Sequence, residues 1–192
     1  MINHISGKLV EKTPTNVVIE CNGVGYFIHI SLHTFDKIGN VEACKLLTHL
    51  SIKEDAHTLY GFINEAERAL FRQLISVSGV GANTARLILS SMDPDGVAGA
   101  IAIADVSTLK GIKGIGEKTA QRIILELKGK VSKHTEGIIF SASHNTSRDE
   151  ALSALLMLGF NKGVVEKVLQ RLITENQNAS VEELVKLALK NL

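Results

Sequence analysis

Two short segments carry glycines at a spacing suited to phosphate binding. Residues 76–89 read SVSGVGANTARLIL and residues 111–124 read GIKGIGEKTAQRII; we refer to them as the first and second motif. Gly114 and Gly116 follow Gly79 and Gly81 by 35 residues each, so the second motif repeats the first. Each motif is predicted to form a tight Gly-hydrophobe-Gly turn between two helices, a helix-hairpin-helix.

Such a turn offers backbone N–H groups to an anion. The N–H groups that start the second helix have no partner inside the helix, and the helix dipole adds positive potential there. Val80 and Ile115 are expected to pack inward and join the flanking helices. The alternative is a pair of ordinary packed turns without a ligand. Two copies favour a regularly charged polymer, contacted through its phosphates rather than its bases.

Nucleotide binding fits the second motif less well. A Walker loop requires Lys directly after the second Gly, where this chain has Glu117. A dinucleotide fingerprint requires a third Gly where Thr119 stands. The sequence therefore predicts neither ATP nor a dinucleotide, and no cofactor.

Other residues that could do chemistry form no recognisable site. His29 and His33 straddle a predicted strand end and make no metal pattern. No arrangement of Ser, Cys, His and Asp indicates a nucleophile, so no catalytic residue is predicted. Cys21 and Cys44 are expected to be reduced thiols of a cytoplasmic protein, since no leader segment precedes them.

The composition limits the partners. The 192 residues carry a net charge of +1 and only 4% aromatic residues. A polyanion must therefore be held by local groups rather than by a general field, and stacking on single-stranded bases is disfavoured. No apolar run approaches the length that spans a membrane.

The elements that would position the motifs divide the chain into an α+β, multi-domain arrangement. Residues 1–63 read as short strands and turns, with Asn22-Gly23 as a hairpin turn, and predict a small closed barrel. Residues 64–130 are helical and begin at an Asn64 cap. Residues 131–146 are predicted to be a flexible linker. Residues 147–192 are predicted to form three helices, with caps at Ser147 and Ser180.

The order of these parts resembles the RuvA family, bacterial proteins that recognise Holliday junctions. The resemblance covers essentially the whole chain. It is most specific at Met1-Ile2 with Gly7, at KEDA (residues 53–56) followed by LYGF (59–62), at both motifs, and at LLMLGF (155–160). It implies an OB-fold barrel, a tandem helix-hairpin-helix domain and a C-terminal three-helix, UBA-like domain.

The resemblance also implies roles for individual residues. Phosphate contacts would come from Gly79, Val80, Gly81, Gly114, Ile115 and Gly116, with cations from Lys118 and Arg122. The family often has Lys where this chain has Asn83, so weaker binding by the first motif is expected. Glu54 and Asp55 match an acidic pin at the junction centre; the residues alone would favour an ordinary acidic hairpin tip. Leu155, Leu158, Phe160 and Leu189 would form the face offered to a motor.

Two function classes follow from this interpretation. In the first, a homotetramer without a catalytic site holds four-way DNA open for a hexameric ATPase of the RuvB type, with a RuvC-type resolvase as a further partner, in recombination, DNA repair and the SOS response. In the second, the motifs are the DNA handle of a repair enzyme, either a glycosylase or a structure-selective nuclease. The acidic metal cluster of a nuclease and the base pocket of a glycosylase are not evident in the sequence.

Overall fold

A computed structural model describes residues 2–136, 146–175 and 179–192. The chain divides into two units, Met1–Ile138 and Ile139–Leu192. The strands and the helices of both motifs, expected as separate domains, lie together in the first unit. The second unit holds the C-terminal helices.

The strands of the first unit close into the predicted barrel. They are β1 (His4–Lys12), β2 (Asn16–Cys21), β3 (Val24–Ile30), β4 (Ala43–Ile52) and β5 (His57–Phe62). The closed order is β1-β2-β3-β5-β4, in which β3 and β5 pair in parallel and the other neighbours are antiparallel. Because a closed barrel leaves no strand edge unpaired, these short strands need no helices over both faces.

The predicted hairpin turn joins β2 to β3. Asn22 has φ 49° and Gly23 has φ 82°, the two positive values that a type I′ turn requires. Alternation along the strands then fills the barrel, since Val17, Ile19 and Ile28 are fully buried.

A short helix interrupts the region predicted to contain only strands and turns. Helix α1 (Leu32–Ile38) follows β3, and the Ser31 side chain caps it by accepting a hydrogen bond from the Thr34 N–H. The prediction was wrong here because seven residues give too short an apolar pattern to stand out from a loop.

The helices that carry the motifs are α2 (Glu65–Ser76), α3 (Ala82–Ser91), α4 (Pro94–Ala102), α5 (Val106–Lys110) and α6 (Glu117–Glu136). The predicted cap is confirmed, since Asn64 accepts a hydrogen bond from the Glu67 N–H. Phe71 and Leu74 of α2 are fully buried with apolar residues of the later helices. One apolar core thus holds both motifs.

Buried polar bonds tie this helical core to the barrel. The Glu67 carboxylate on α2 accepts hydrogen bonds from the hydroxyl groups of Ser31 and Thr34, the latter at 2.6 Å. The neighbouring Arg68 donates to the Asn3 carbonyl at 2.9 Å and to its side-chain oxygen at 2.7 Å. Since breaking a buried charged bond is costly, the motifs are held at a defined orientation to the barrel.

Helix α6 continues six residues past the predicted domain end at residue 130. Val131 is 4% exposed and belongs to the core of the first unit. It follows Ile124 and Leu127 at helical spacing, so the apolar face extends into the segment predicted to be a linker. That segment therefore begins as helix, and its residues 137–145 lie outside the described part of the chain.

The described part of the second unit contains α7 (Thr146–Met157), α8 (Lys162–Glu175) and α9 (Val181–Asn191), as predicted. Leu155, Leu169 and Leu184 are buried in its core. The Ser180 capping box is confirmed. The predicted cap at Ser147 is wrong, because α7 begins at Thr146 and places Ser147 within its first turn.

None of the helices, as far as the structure describes them, has the length and apolar character needed to cross a membrane.

Candidate nucleic-acid interface

The two motifs form turns of the same geometry. Gly79 has φ 89° and Gly114 has φ 87°, values that residues other than glycine rarely adopt. In the first turn the Val80 N–H donates to the Val77 carbonyl at 3.0 Å. In the second, the Ile115 N–H donates to the Ile112 carbonyl at the same distance. The repeat read from the sequence is therefore also a repeat in structure.

The hydrophobic residue of each turn holds it against the core. Val80 and Ile115 are each 5% exposed and pack with the apolar side chains of the surrounding helices, as expected. Gly79 and Gly114 are exposed beside them. Each turn consequently has an apolar underside and a bare backbone on its surface.

A helix begins directly after each turn. The Ala85 N–H donates to the Gly81 carbonyl and the Ala120 N–H to the Gly116 carbonyl, both at 2.9 Å. Because glycine has no side chain, neither Gly81 nor Gly116 can cap the first N–H groups of its helix. A Cβ atom added at either glycine would meet nothing within 4 Å. Both helix starts are thus open to an approaching anion.

Cations are present near these helix starts, but not symmetrically. Lys118 lies exposed in the first turn of α6, and Lys113 lies exposed just before Gly114. Arg122 is also on α6, yet its Nη1 donates to the Ser78 carbonyl in the first motif at 3.0 Å. Neither exposed Lys113 nor the Ser78 carbonyl figured in the sequence interpretation, although aligning the repeats at their 35-residue offset pairs these two positions.

Asn83 is held by the barrel. It is exposed in the first turn of α3, where its Oδ1 accepts a hydrogen bond from the Tyr60 hydroxyl at 3.1 Å. Burial raises the pKa of Tyr60, an effect that the nearby Arg86 opposes. Arg86 itself donates to the Thr15 carbonyl at 3.0 Å. The start of α3 is therefore fixed to the barrel by bonds that leave its backbone N–H groups free of side chains.

The two carboxylates matched to an acidic pin lie together at the tip of the β4–β5 hairpin. Glu54 and Asp55 are both exposed there. The loop is closed by the Lys53 N–H, which donates to the Ala56 carbonyl at 2.9 Å. Negative charge is thus presented on a short, structured projection.

The expected motor-binding residues separate into core and surface. Leu155 is 0% exposed and lies in the core of the second unit, so it does not belong to the surface expected for a partner. Leu158 is 61% exposed and Leu189 44% exposed, whereas Phe160 is only partly buried against the core. Met157, which the sequence interpretation omitted, is 91% exposed.

Histidines and cysteines contribute no cluster in the described residues. Burial lowers the pKa of His29 on β3, with a smaller contribution from Arg86, and His33 lies on α1. Cys21 and Cys44 are free; burial raises the pKa of Cys44, and Cys21 adds to the effect. Within residues 2–136, 146–175 and 179–192, no three His, Cys, Asp or Glu side chains lie together in a way that could hold a metal ion.

Family models match the chain along most of its length. Residues 1–61 match the RuvA N-terminal domain, residues 71–130 a SAM-like helix-hairpin-helix tandem, and residues 146–192 the RuvA C-terminal domain. The barrel, both motifs and the C-terminal helices each fall within one of these matches.

Several relatives are similar over their full length. The chain is 54% identical to a protein of Christiangramia forsetii and 54% identical to one of Flavobacterium psychrophilum, in each case across 100% of both chains. It is 49% identical to a protein of Cytophaga hutchinsonii across 99% of both. Each of the three is named Holliday junction branch migration complex subunit RuvA.

Proposed function

Since this chain belongs to the RuvA family, we propose that it is the subunit that binds Holliday junctions in a branch migration complex. In this function the two motifs hold the DNA arms through phosphate contacts, and the bound junction is passed to a ring ATPase of the RuvB type. The full-length relatives carry the name of this complex, which favours the proposal over a helix-hairpin-helix repair enzyme.

The observation that carries the DNA-binding role is the pair of matching turns. Both present an uncapped helix start beside an exposed glycine, and both are held by one apolar core. One such turn suits any small anion, but two suit a polymer whose charges repeat. With a net charge of only +1, the chain depends on such local sites for its affinity.

The chain acts as an adaptor without a catalytic step of its own. Four copies form the assembly that accepts the junction, and a RuvC-type resolvase acts on the same DNA. The location is the cytoplasm, where the protein serves recombination, DNA repair and the SOS response. We infer all of this from the family resemblance.

Glu54 and Asp55 supply junction preference in this proposal. Carboxylates close to phosphates repel them, so a continuous duplex is disfavoured where the pin projects. At an open junction the strands separate around the pin. The exposure of both residues on a closed hairpin tip supports this role.

The second unit provides the surface for the motor. Leu158 and Leu189 are exposed apolar side chains, and Phe160 adds a partly buried ring. Exposed apolar side chains of this kind can form a partner surface, and the family resemblance assigns that role to these positions.

The test compares a labelled four-way junction with a linear duplex of the same length, over a series of salt concentrations and with Mg²⁺ present. We expect the junction to bind at least about tenfold more tightly than the linear duplex. Its affinity should fall steeply as the salt concentration rises, and every strand should remain intact. Equal affinity for both DNAs, or cut strands, would overturn the proposal.

Glycine substitutions test whether the turns themselves make the contact. Gly81→Ala and Gly116→Ala add a methyl group that meets nothing in the protein, so the fold should change in stability by less than about 1 kcal/mol. The same methyl groups would stand between the helix starts and a phosphate, and junction affinity should fall. Gly99→Ala, at an exposed position of α4, is the matched control and should bind as the unchanged protein does. If all three variants bound the junction as the unchanged protein does, the turns would not be in contact with the DNA.

A further inference from the structure

The two motifs differ in charge at equivalent positions. What we infer from this difference rests on the proposed function. When the repeats are aligned at the 35-residue offset, three cations of the second motif correspond to uncharged residues of the first. Lys113 aligns with Ser78, Lys118 with Asn83, and Arg122 with Leu87. The backbone geometry of the two turns is nevertheless the same. A phosphate at the first turn would therefore meet the N–H groups without a cation from its own motif at these positions.

One guanidinium of the second motif reaches the first turn. Arg122 Nη1 donates to the Ser78 carbonyl at 3.0 Å, across 44 residues of sequence. The same atom lies 3.8 Å from the point where a Cβ of Gly79 would stand. Arg86, the cation inside the first motif, is directed instead to the Thr15 carbonyl of the barrel.

We propose that Arg122 supplies the cation of the first motif's phosphate site, although it belongs to the second motif by sequence. A guanidinium has five N–H donors in a fixed plane, so one bond to the Ser78 carbonyl orients the group and leaves other donors for a phosphate oxygen. The exposure of Arg122 keeps those donors accessible.

This assignment gives Asn83 a different role from the lysine that the family often has there. Its Oδ1 is held by Tyr60 and its side chain carries no charge, so it positions the start of α3 and adds no positive charge for a phosphate. Lys113 and Lys118 then serve the second turn, and Arg122 serves the first. The two sites are each supplied with positive charge, but by residues from one helix and its preceding turn.

A double-mutant cycle separates the two possible sites of Arg122. Arg122→Gln should weaken junction binding by at least about tenfold and should reduce the slope of log affinity against log salt by about one for each copy of the chain that holds the DNA. Asn83→Lys places a cation at the first motif. In the Arg122→Gln background it should recover most of the lost affinity and slope, whereas in the unchanged protein it should add about threefold or less.

Two controls define the comparison. In a Lys118→Gln background, Asn83→Lys should add only what it adds to the unchanged protein, because Lys118 serves the other turn. Asn83→Met removes the Tyr60 contact without adding charge and should not rescue Arg122→Gln. Thermal melting checks the fold; if Arg122→Gln melts well below the unchanged protein, the cycle is run with Arg122→Lys, for which the same preferential rescue by Asn83→Lys is expected at smaller amplitude.

The outcomes are distinct from those that test the proposed function. Equal gains from Asn83→Lys in the unchanged protein and in the Arg122 variant would place Arg122 at another phosphate and overturn this inference. The proposed function would survive that result, provided that the unchanged protein still prefers a junction to linear duplex. Loss of that preference in the unchanged protein would instead overturn the function itself.

Discussion

In each turn, some residues support the structure and others form the surface that binds. Val80 and Ile115 hold the turns through buried apolar contacts, and Gly81 and Gly116 leave the helix starts bare. Replacing the first pair would cost packing, whereas replacing the second pair changes what can approach. A loss of binding can therefore be assigned to the surface only when stability is measured beside it.

Substitutions in the acidic pin should raise DNA affinity, whereas substitutions in the turns should lower it. Glu54→Gln together with Asp55→Asn should raise affinity for linear duplex on the order of threefold to tenfold, because the repulsion that excludes continuous duplex is removed. Junction preference should fall accordingly. The measurement is a gel-shift titration of both DNAs at fixed salt.

Net charge is controlled by a second pair of substitutions. Glu150→Gln with Glu182→Gln changes the charge by the same amount on exposed sites of the second unit. This control should leave junction preference in place. Unchanged duplex affinity in the pin variant, or the same gain in the control, would return Glu54 and Asp55 to the role of an ordinary hairpin tip.

The local parts of the site could be predicted from sequence, but its long-range contacts could not. Glycine spacing alone gave the two turns and their inward hydrophobic residues, since those follow from backbone geometry over a few positions. The bonds from Arg122 to Ser78 and from Tyr60 to Asn83 join residues 44 and 23 positions apart. Such contacts depend on how elements pack, which no local pattern specifies.

At the scale of elements, the sequence interpretation succeeded where periodicity was long and failed at element ends. The closed barrel and the helices of both motifs were predicted, because alternation and helical spacing each extend over many residues. Helix α1 was missed because it is short, and α6 was ended too early. Ser and His residues beyond Val131 resemble a loop in composition, whereas burial of Val131 continues the helix.

The last residues of α6 should contribute to the stability of the first unit. A chain ending at residue 136 should keep the stability of the first unit, whereas one ending at residue 130 should lose about 1 to 3 kcal/mol through the missing Val131 contacts and helix bonds. Urea denaturation followed by circular dichroism measures the difference. Val131→Ala in the 1–136 chain is the matched variant and should reproduce part of the loss. Equal stability of the two chains would mean that this end of α6 does not contribute to the core.

The whole molecule separates two tasks between its units. The first unit carries both turns, Arg122, Lys118 and the pin on its surface. Buried apolar contacts join the motif helices beneath them, and the Glu67 hydrogen bonds tie these helices to the barrel. The second unit has its own apolar core and its own exposed apolar side chains. If binding and motor coupling follow this division, each can be removed without the other.

We therefore expect a chain ending at residue 136 to bind junctions about as tightly as the full chain, but to stimulate neither the ATPase of a RuvB-type motor nor branch migration. Leu158→Gln in the full chain should have the same effect with the second unit still folded, because this side chain is 61% exposed. Leu155→Ala is the contrasting variant: it removes a fully buried side chain and should unfold the second unit, with a cost of about 2 to 5 kcal/mol. Circular dichroism distinguishes the two causes of lost coupling. Branch migration driven at full rate by the 1–136 chain and its motor would show that coupling does not depend on the second unit.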